Sequence, residues 1–391
     1  MRIARIDDLH ADAGWRTYSY LKVTTDDGLV GWSEYSENYG SVGLTGVIRG
    51  LSAQLIGADP RPVEKIVAML YAQTRQAPGG MNAQAIAAIE NALLDVKAKG
   101  LGVRVCELYG GPVRERLPLY WSHCGTYRIT YPDFCGVPPI KSLDDVKVLG
   151  REVRKKGFSS LKTNILRFDG PEARLHMPGF GHGGVDPAIN VDKALLTSIG
   201  DLMAAFREGA GADAGLHLDL NFNFRTEGYV RMARAVEFVD PTWVEIDLFD
   251  PDALAHIRRQ VKVPIASCES LFGRRQFKPY FEAGAVDVAI IDVPWNGFAE
   301  SVKIAAMADA YEVNVAPHNF YGHLSTAMSA HFCAAVPNFR IMEIDIDDCR
   351  WRDEFYSPVP KIENGMLVLP SGPGWGVDVN EEAVRARPAK R

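Results

Sequence analysis

Apolar and polar positions alternate with period two over Thr17-Tyr-Ser-Tyr-Leu-Lys-Val-Thr-Thr25, break at Asp26-Asp-Gly28, and resume through Leu29-Val-Gly-Trp-Ser-Glu34. β-Branched and aromatic residues flanking an Asp-Gly turn predict a hairpin, and residues 1 to about 35 read as strands. From about 42 to 109 the period lengthens. Ile48, Leu51, Leu55 and Ile56 recur at helical spacing. After Gly79-Gly80 the pattern predicts an amphipathic helix over 82–99, ended by Gly100. Gly110-Gly-Pro-Val-Arg-Glu-Arg-Leu-Pro118 is a Gly/Pro-rich join, which sets an α+β domain over 1–117 apart from the remainder of the chain.

Past the join the rhythm is a short apolar strand and then a helix, repeated. Strand ends fall near His123, Lys162, Asp219, Glu245, Glu269, Asp292, His318 and Glu343, and from Asp219 on they lie 23 to 26 residues apart. One strand, one helix and two loops need about that length, so the region 118–367 is predicted to be a closed parallel α/β barrel. The irregular interval, Lys162 to Asp219, contains the glycine-rich insertion Arg167–Gly184 with His176 and His182. It follows a strand's carboxyl end and is expected to hang over the catalytic face as a lid. Lys361–Pro370 reads as a hairpin and Ser371–Asp378 as a Gly/Pro-rich strap. The tail, about 368–391, is expected to pack back on the first domain and complete it.

Charge and composition narrow the function. With 391 residues, 47% hydrophobic and 24% charged, the chain has an ordinary globular composition. A net charge of −6 argues against a nucleic-acid or anionic-membrane partner. No apolar run approaches the roughly 18 residues of a membrane span. The N-terminus lacks the apolar core of a signal peptide, and the six cysteines include no CxxC pair. Reduced thiols in a cytoplasmic protein are expected.

Three carboxylates, Asp219, Glu245 and Glu269, end three successive strands and converge in a barrel. Unneutralised they would repel, and hard oxygen ligands select Mg²⁺. Lys162, beside such a centre, is expected to have a depressed pKa and to act as a base or as a fixed positive charge. Asp292 and His318 end adjacent strands, so Asp292 would hold His318 in one tautomer and raise its basicity. His123, Glu343 and Asn221 are candidate substrate contacts; Asn221 faces the pocket by strand alternation from Asp219. A metal and a base on one pocket suit removal of a proton next to a carboxylate, with the enediolate stabilised by the metal.

The motifs Lys162-Thr-Asn164, Leu218-Asp219-Leu-Asn221, Trp243-Val-Glu245, Ala266-Ser-Cys-Glu269, Ile291-Asp292-Val and Val315-Ala-Pro-His318-Asn319 together resemble the enolase superfamily, specifically its mandelate racemase subgroup. The resemblance covers nearly the whole chain. It implies a modified (β/α)₇β TIM-like barrel with an N-terminal α+β capping domain, whose loops near 36–40 and 77–81 close the site. It implies Mg²⁺ on Asp219, Glu245 and Glu269, an acid/base dyad of Asp292 and His318, a substrate contact at Glu343, and a homo-oligomer. Two residues depart from the subgroup pattern. Asn164 stands where many relatives carry a second lysine, which removes one base, leaves Lys162 to supply charge, and makes Asn164 a candidate substrate contact. In Glu245-Ile-Asp247 the second acid, Asp247, points the same way as Glu245 and competes with it for a role.

One-sided proton abstraction followed by loss of a β-hydroxyl is therefore the expected chemistry: an acid-sugar dehydratase giving a 2-keto-3-deoxy acid from a small-molecule sugar acid. The acid that assists hydroxide departure is left open between His318 itself and the lid histidines His176 and His182. An epimerase, racemase or cycloisomerase using the same enediolate is the alternative. A non-catalytic metal-binding barrel is the alternative of another class.

Overall fold

The computed structural model describes residues 1–178, 190–222 and 224–390. The predicted hairpin forms the centre of a three-stranded antiparallel sheet, β1 (Ile3–Asp12), β2 (Thr17–Thr25) and β3 (Val30–Tyr35), in that order. Helices α1 (Leu44–Ser52), α2 (Val63–Gln73) and α3 (Gly80–Leu101) come next. The sheet approaches α3 so closely that a Cβ on Gly31 would lie 2.4 Å from the Ala92 carbonyl oxygen. α3 passes through Gly100 and ends at Gly102, whose φ of 69° supplies the left-handed cap. Gly100 has helical neighbours on both sides, so the later glycine makes the stop.

Eight parallel strands then form the barrel: β4 (Arg116–Ser122), β5 (Ser160–Thr163), β6 (Gly215–Asp219), β7 (Trp243–Glu245), β8 (Ile265–Ser267), β9 (Val288–Asp292), β10 (Asn314–His318) and β11 (Met342–Asp345). They hydrogen-bond in the order β10-β9-β8-β7-β6-β5-β4-β11. Val315 N–H to Asn338 and Arg340 N–H to Val315, each 2.9 Å, close the seam between β10 and the approach to β11. Among the described residues one long helix bridges each successive pair of strands, seven in all: α4 (Leu143–Lys155), α5 (Lys193–Ala210), α6 (Thr226–Ala235), α7 (Pro251–Gln260), α8 (Gly273–Glu282), α9 (Phe298–Asp309) and α10 (His323–Ala335). Seven helices for eight strands is the (β/α)₇β arrangement. Inside, Tyr120, Trp243, Ala266, Val288, Ile290 and Ala316 form a buried cluster, with His217 against Trp243 at 3.9 Å between ring centroids. That plug leaves the carboxyl-terminal mouth as the space for a site. No helix among the described residues is long and apolar enough to cross a membrane.

The tail hairpin, Ile362–Glu363 with Met366–Val368, pairs antiparallel with the start of β4. The strap then lies on the first domain. Trp375 donates through its indole N–H to the Trp32 carbonyl and through its backbone N–H to Asp95, both at 2.9 Å.

Carboxylates of the cap seat it on the barrel. Glu34, on β3, accepts from Gly322 N–H (2.7 Å) and Ser325 N–H (3.0 Å) at the start of α10. Glu90 and Asn91, on α3, accept from Ala299 N–H (2.7 Å) and Phe298 N–H (2.9 Å) at the start of α9. Each satisfies donors that a helix start leaves open. Burial nevertheless pushes the Glu34 carboxyl up to about 7 and Glu90 up to about 8, against the pull of those hydrogen bonds. Because these pKa values are raised above the unfolded 4.5, the folded chain holds protons that the unfolded chain has released. Stability is thus fully present below the unfolded value and is lost as pH rises through the folded ones. Urea titrations are expected to give midpoints that fall between about pH 5 and 8. Glu90→Gln, which keeps an acceptor for Ala299, is expected to flatten that fall and raise the midpoint at pH 8.5. A variant as pH-dependent as the parent would contradict this assignment.

Candidate active site

A cavity of about 480 Å³ opens at the carboxyl ends of the strands, between barrel and cap. Cap residues 36 and 38–41, with Gly80, Met81 and Gln84, form one wall. Leu175 and Met177, from the insertion after β5, form part of another. Lys162, Asp219, Glu269 and His318 reach the same cavity from β5, β6, the loop after β8, and β10. The volume suits a small organic acid.

Three carboxylates, Glu245, Asp247 and Glu269, each bring an oxygen within 4.8 Å of the others. Asp219 stands beside them. Its Oδ1 accepts the Asn221 N–H at 2.9 Å, and its Oδ2 lies 3.5 Å from Lys162 Nζ. The tightest grouping thus contains Asp247, the competitor to Glu245 in the sequence, in addition to two of the three expected ligands. Strand period two is the reason: Glu245 ends β7, and Asp247 continues on the same face. Cys268, at φ 90°, turns the chain out of β8 just before Glu269; a non-glycine residue there stores strain.

Glu245 Oε1 and Asp247 Oδ1 are buried with no hydrogen-bond partner among the described residues. Convergent, unpartnered hard oxygens fit a divalent cation such as Mg²⁺. Without one, burial pushes Glu245 up to about 8 and Asp247 up to about 6, and neighbouring carboxylates add to both. Burial also drives Glu269 well above its ordinary range. Mg²⁺ must displace these protons, so binding is expected to release protons at pH 7 and to weaken as pH falls below about 8. Calorimetry in two buffers of different ionisation enthalpy measures this. Identical apparent enthalpies would contradict it.

Lys162 departs from the depressed pKa that its place beside a cation centre predicts. Burial does oppose its charge, but Glu245 and Glu343, each 3.0 Å from Nζ, with Asp219, raise it well above the ordinary lysine value. The ammonium is locked among three carboxylates and has no lone pair with which to take a proton.

His318 is differently placed. Its Nδ1–H donates to Asp292 Oδ2 at 2.6 Å, and Nε2 lies 3.4 Å from Glu269 Oε1. Asp292 is held in turn by Trp295 N–H (2.7 Å) and the Tyr321 hydroxyl (2.6 Å). Burial opposes charge on His318, yet Glu269 and Asp292 outweigh it and push the imidazole up to about 10 in the metal-free site.

The expected substrate contacts divide. His123 and Asn221 line the cavity, with φ of 44° and 52° just past the ends of β4 and β6. Three others are not among the described residues of its wall. Asn164 accepts the Thr126 hydroxyl at 2.9 Å. Glu343 lies beneath the floor, taken up by Lys162, by Asn319 N–H at 2.7 Å and by the Ser122 hydroxyl. Burial opposes ionisation of Glu343, but Lys162 and His318 hold its carboxyl well below the usual range. It serves as counter-ion to Lys162. His176 packs 6.2 Å from the Phe224 ring, and burial lowers its pKa. His182 lies outside the described residues.

Two groups escaped sequence reasoning. Asp345 contacts His123 Nδ1 at 2.8 Å, and alternation from Glu343 was the available signal. Tyr321, which buttresses Asp292, lies in a loop and had none.

A (β/α)₇β barrel under an α+β cap, with acidic strand ends facing a His–Asp pair, defines an enolase-superfamily enzyme. The chain belongs to the mandelate racemase/muconate lactonizing enzyme family. Residues 12–110 match the model for the mandelate racemase/muconate lactonizing enzyme N-terminal domain, and 146–383 match the enolase C-terminal domain-like model. A Burkholderia xenovorans protein described provisionally as an L-alanine-DL-glutamate epimerase is 50% identical, superposes with a TM-score of 0.98, and is covered at 99% by all of this chain. It has also been solved bound to magnesium and fumarate. D-galactarolactone cycloisomerase of Agrobacterium fabrum is 30% identical over 94% of this chain and 90% of its own. D-galactonate dehydratase of Xanthomonas euvesicatoria is 29% identical over 98% and 94% respectively.

Proposed function

We propose that the protein is a Mg²⁺-dependent acid-sugar dehydratase, converting a sugar acid to a 2-keto-3-deoxy acid. The observation that carries this reading is the asymmetry of the site. Once a cation takes the Glu269 charge that otherwise keeps the imidazole protonated, His318, backed by Asp292, is positioned to take a proton, whereas Lys162 keeps Glu343 as its counter-ion and Asn164 does not titrate. Racemisation by the pattern of opposed bases on β5 and β10 lacks its partner here, because neither Lys162 nor Asn164 on the β5 side offers a free base.

Asp219, Glu245 and Glu269, with Asp247 alongside, would hold the cation; when bound it supplies positive charge to a carboxylate that gains electron density. Lys162 adds fixed charge to the same side. His318 takes the C2 proton on Nε2, and Asp292 stabilises the imidazolium through Nδ1–H. The electron pair left on C2 forms the enediol system, and its collapse expels the C3 hydroxyl.

The name of the Xanthomonas relative supports dehydration. The Agrobacterium relative supports a second reading, cycloisomerisation of a sugar lactone, which begins with the same abstraction. Lys162 is the one lysine on the described wall and no arginine is there, which favours a mono-acid over a diacid. A library of mono- and diacid sugars with Mg²⁺, scored with semicarbazide, tests the proposal. Dehydration yields a semicarbazide-reactive keto acid, and an epimerase yields none. A library without such a product would overturn the dehydratase reading.

A further inference from the structure

The cavity receives two histidine–aspartate pairs, and abstraction at C2 uses one. The second is His123–Asp345, assembled from the first and last barrel strands, which pair in parallel with Ser122 opposite Asp345. His123 Nδ1–H donates to Asp345 Oδ1 at 2.8 Å. The Asp345 side chain is fully buried, whereas the His123 side chain keeps 15% exposure on the cavity wall. Its Nε2 has no hydrogen-bond partner among the described residues. Tyr127 stacks on the ring, with centroids 4.8 Å apart and planes 22° apart. Phe320 stands 6.1 Å from His123 and 4.9 Å from His318, so both imidazoles flank one aromatic ring of the same wall. Arg16 Nη2 lies 3.6 Å from Asp345 Oδ2 and donates to Asp348 at 2.6 Å. The Arg16 charge thus faces the carboxylate from behind without a hydrogen bond to it, and the histidine lies on the cavity side.

The geometry points to His123 as the general acid for departure of the C3 hydroxyl, with Asp345 its positioning residue. This rests on the dehydratase reading. His318 removes the C2 proton to leave the enediolate; on its collapse the electron pair becomes the C2–C3 π bond of the enol product as the C3–O bond breaks. The leaving oxygen takes the proton from His123 Nε2 and departs as water. The enol tautomerises to the 2-keto acid, His318 gives its proton to solvent, and His123 regains one from solvent. Other candidates are placed less well. Lys162 sits on the carboxylate side among its three counter-ions, and His176 faces Phe224. Dividing base from acid between two pairs also spares His318 from doing both jobs.

The test is His123→Asn, with Asp345→Asn as the partner variant, on the holoenzyme with Mg²⁺ and whichever sugar acid the library yields. Exchange of the C2 proton in D₂O reads the His318 step, and keto-acid formation reads the whole reaction. His123→Asn is expected to keep exchange within about threefold of the parent while keto-acid formation falls about 100-fold or more, the range for loss of a general acid. A 3-fluoro analogue, whose fluoride leaves without protonation, is expected to restore turnover in both variants to near the parent's rate. Equal loss of exchange and elimination, unrescued by the fluoro substrate, would overturn the assignment, as would full elimination activity in His123→Asn. Absence of both exchange and elimination in the parent with every acid would instead overturn the dehydratase reading.

Discussion

His318→Asn is expected to abolish turnover, by about 10³-fold or more, with folding and Mg²⁺ binding retained. Asparagine is close in reach and keeps a donor for Asp292, so the buried carboxylate is not stranded. What disappears is the imidazole Nε2 that faces Glu269 in the cavity. Exchange of the substrate α-proton with D₂O is expected to vanish together with product, which separates loss of the base from loss of the acid at His123. Unaltered exchange would mean that another group takes the proton, and the mechanism would fail. The paired variant Asp292→Asn is expected to lie between the two, because the imidazole remains but its tautomer is no longer fixed.

The largest expected effect on stability is at Lys162. The side chain is 3% exposed, and its ammonium neutralises Glu245, Glu343 and Asp219 together. Lys162→Met would keep the volume and leave three carboxylates without a cation. Removing one partner of a buried ion pair costs about 3–5 kcal/mol, and the metal-free variant is expected to lose about that much at pH 8. Saturating Mg²⁺ is expected to recover part of the loss, since it binds the folded chain alone and meets two of the same acids. Urea unfolding with and without Mg²⁺ measures both quantities. A midpoint within error of the parent would mean that Lys162 is not held as an ammonium. Catalysis in the variant is expected to fall as well, through the lost positive charge beside the substrate carboxylate.

The barrel was legible because its repeat is short and apolar. Strand ends at Asp219, Glu245, Asp292 and His318 fall where period and chemistry coincide, and there the structure agrees to the residue. The insertion after β5 was visible as a break in spacing, though its histidines could not be placed: His176 turns toward Phe224. The direction of the Lys162 shift was not legible. It depends on Glu343, which enters from β11 on the far side of β4, a contact between strands 181 residues apart in number. Asp247 and Asp345 share a lesson. Each lies two residues beyond a marked acid, on the same face; that alternation put Asp247 forward from the sequence, and the same reading past Glu343 would have found Asp345. Tyr321 and the Arg16 grip on Asp348 come from loop and cap geometry, which local pattern does not encode.

One-sided abstraction followed by elimination is tested most directly by ¹H NMR of the reaction run in D₂O. With the accepted sugar acid and Mg²⁺, the expected result is a 2-keto-3-deoxy acid carrying one deuterium at C3, with no C2 epimer of the substrate accumulating. Accumulation of the C2 epimer labelled with deuterium at C2, and no keto acid, would contradict it.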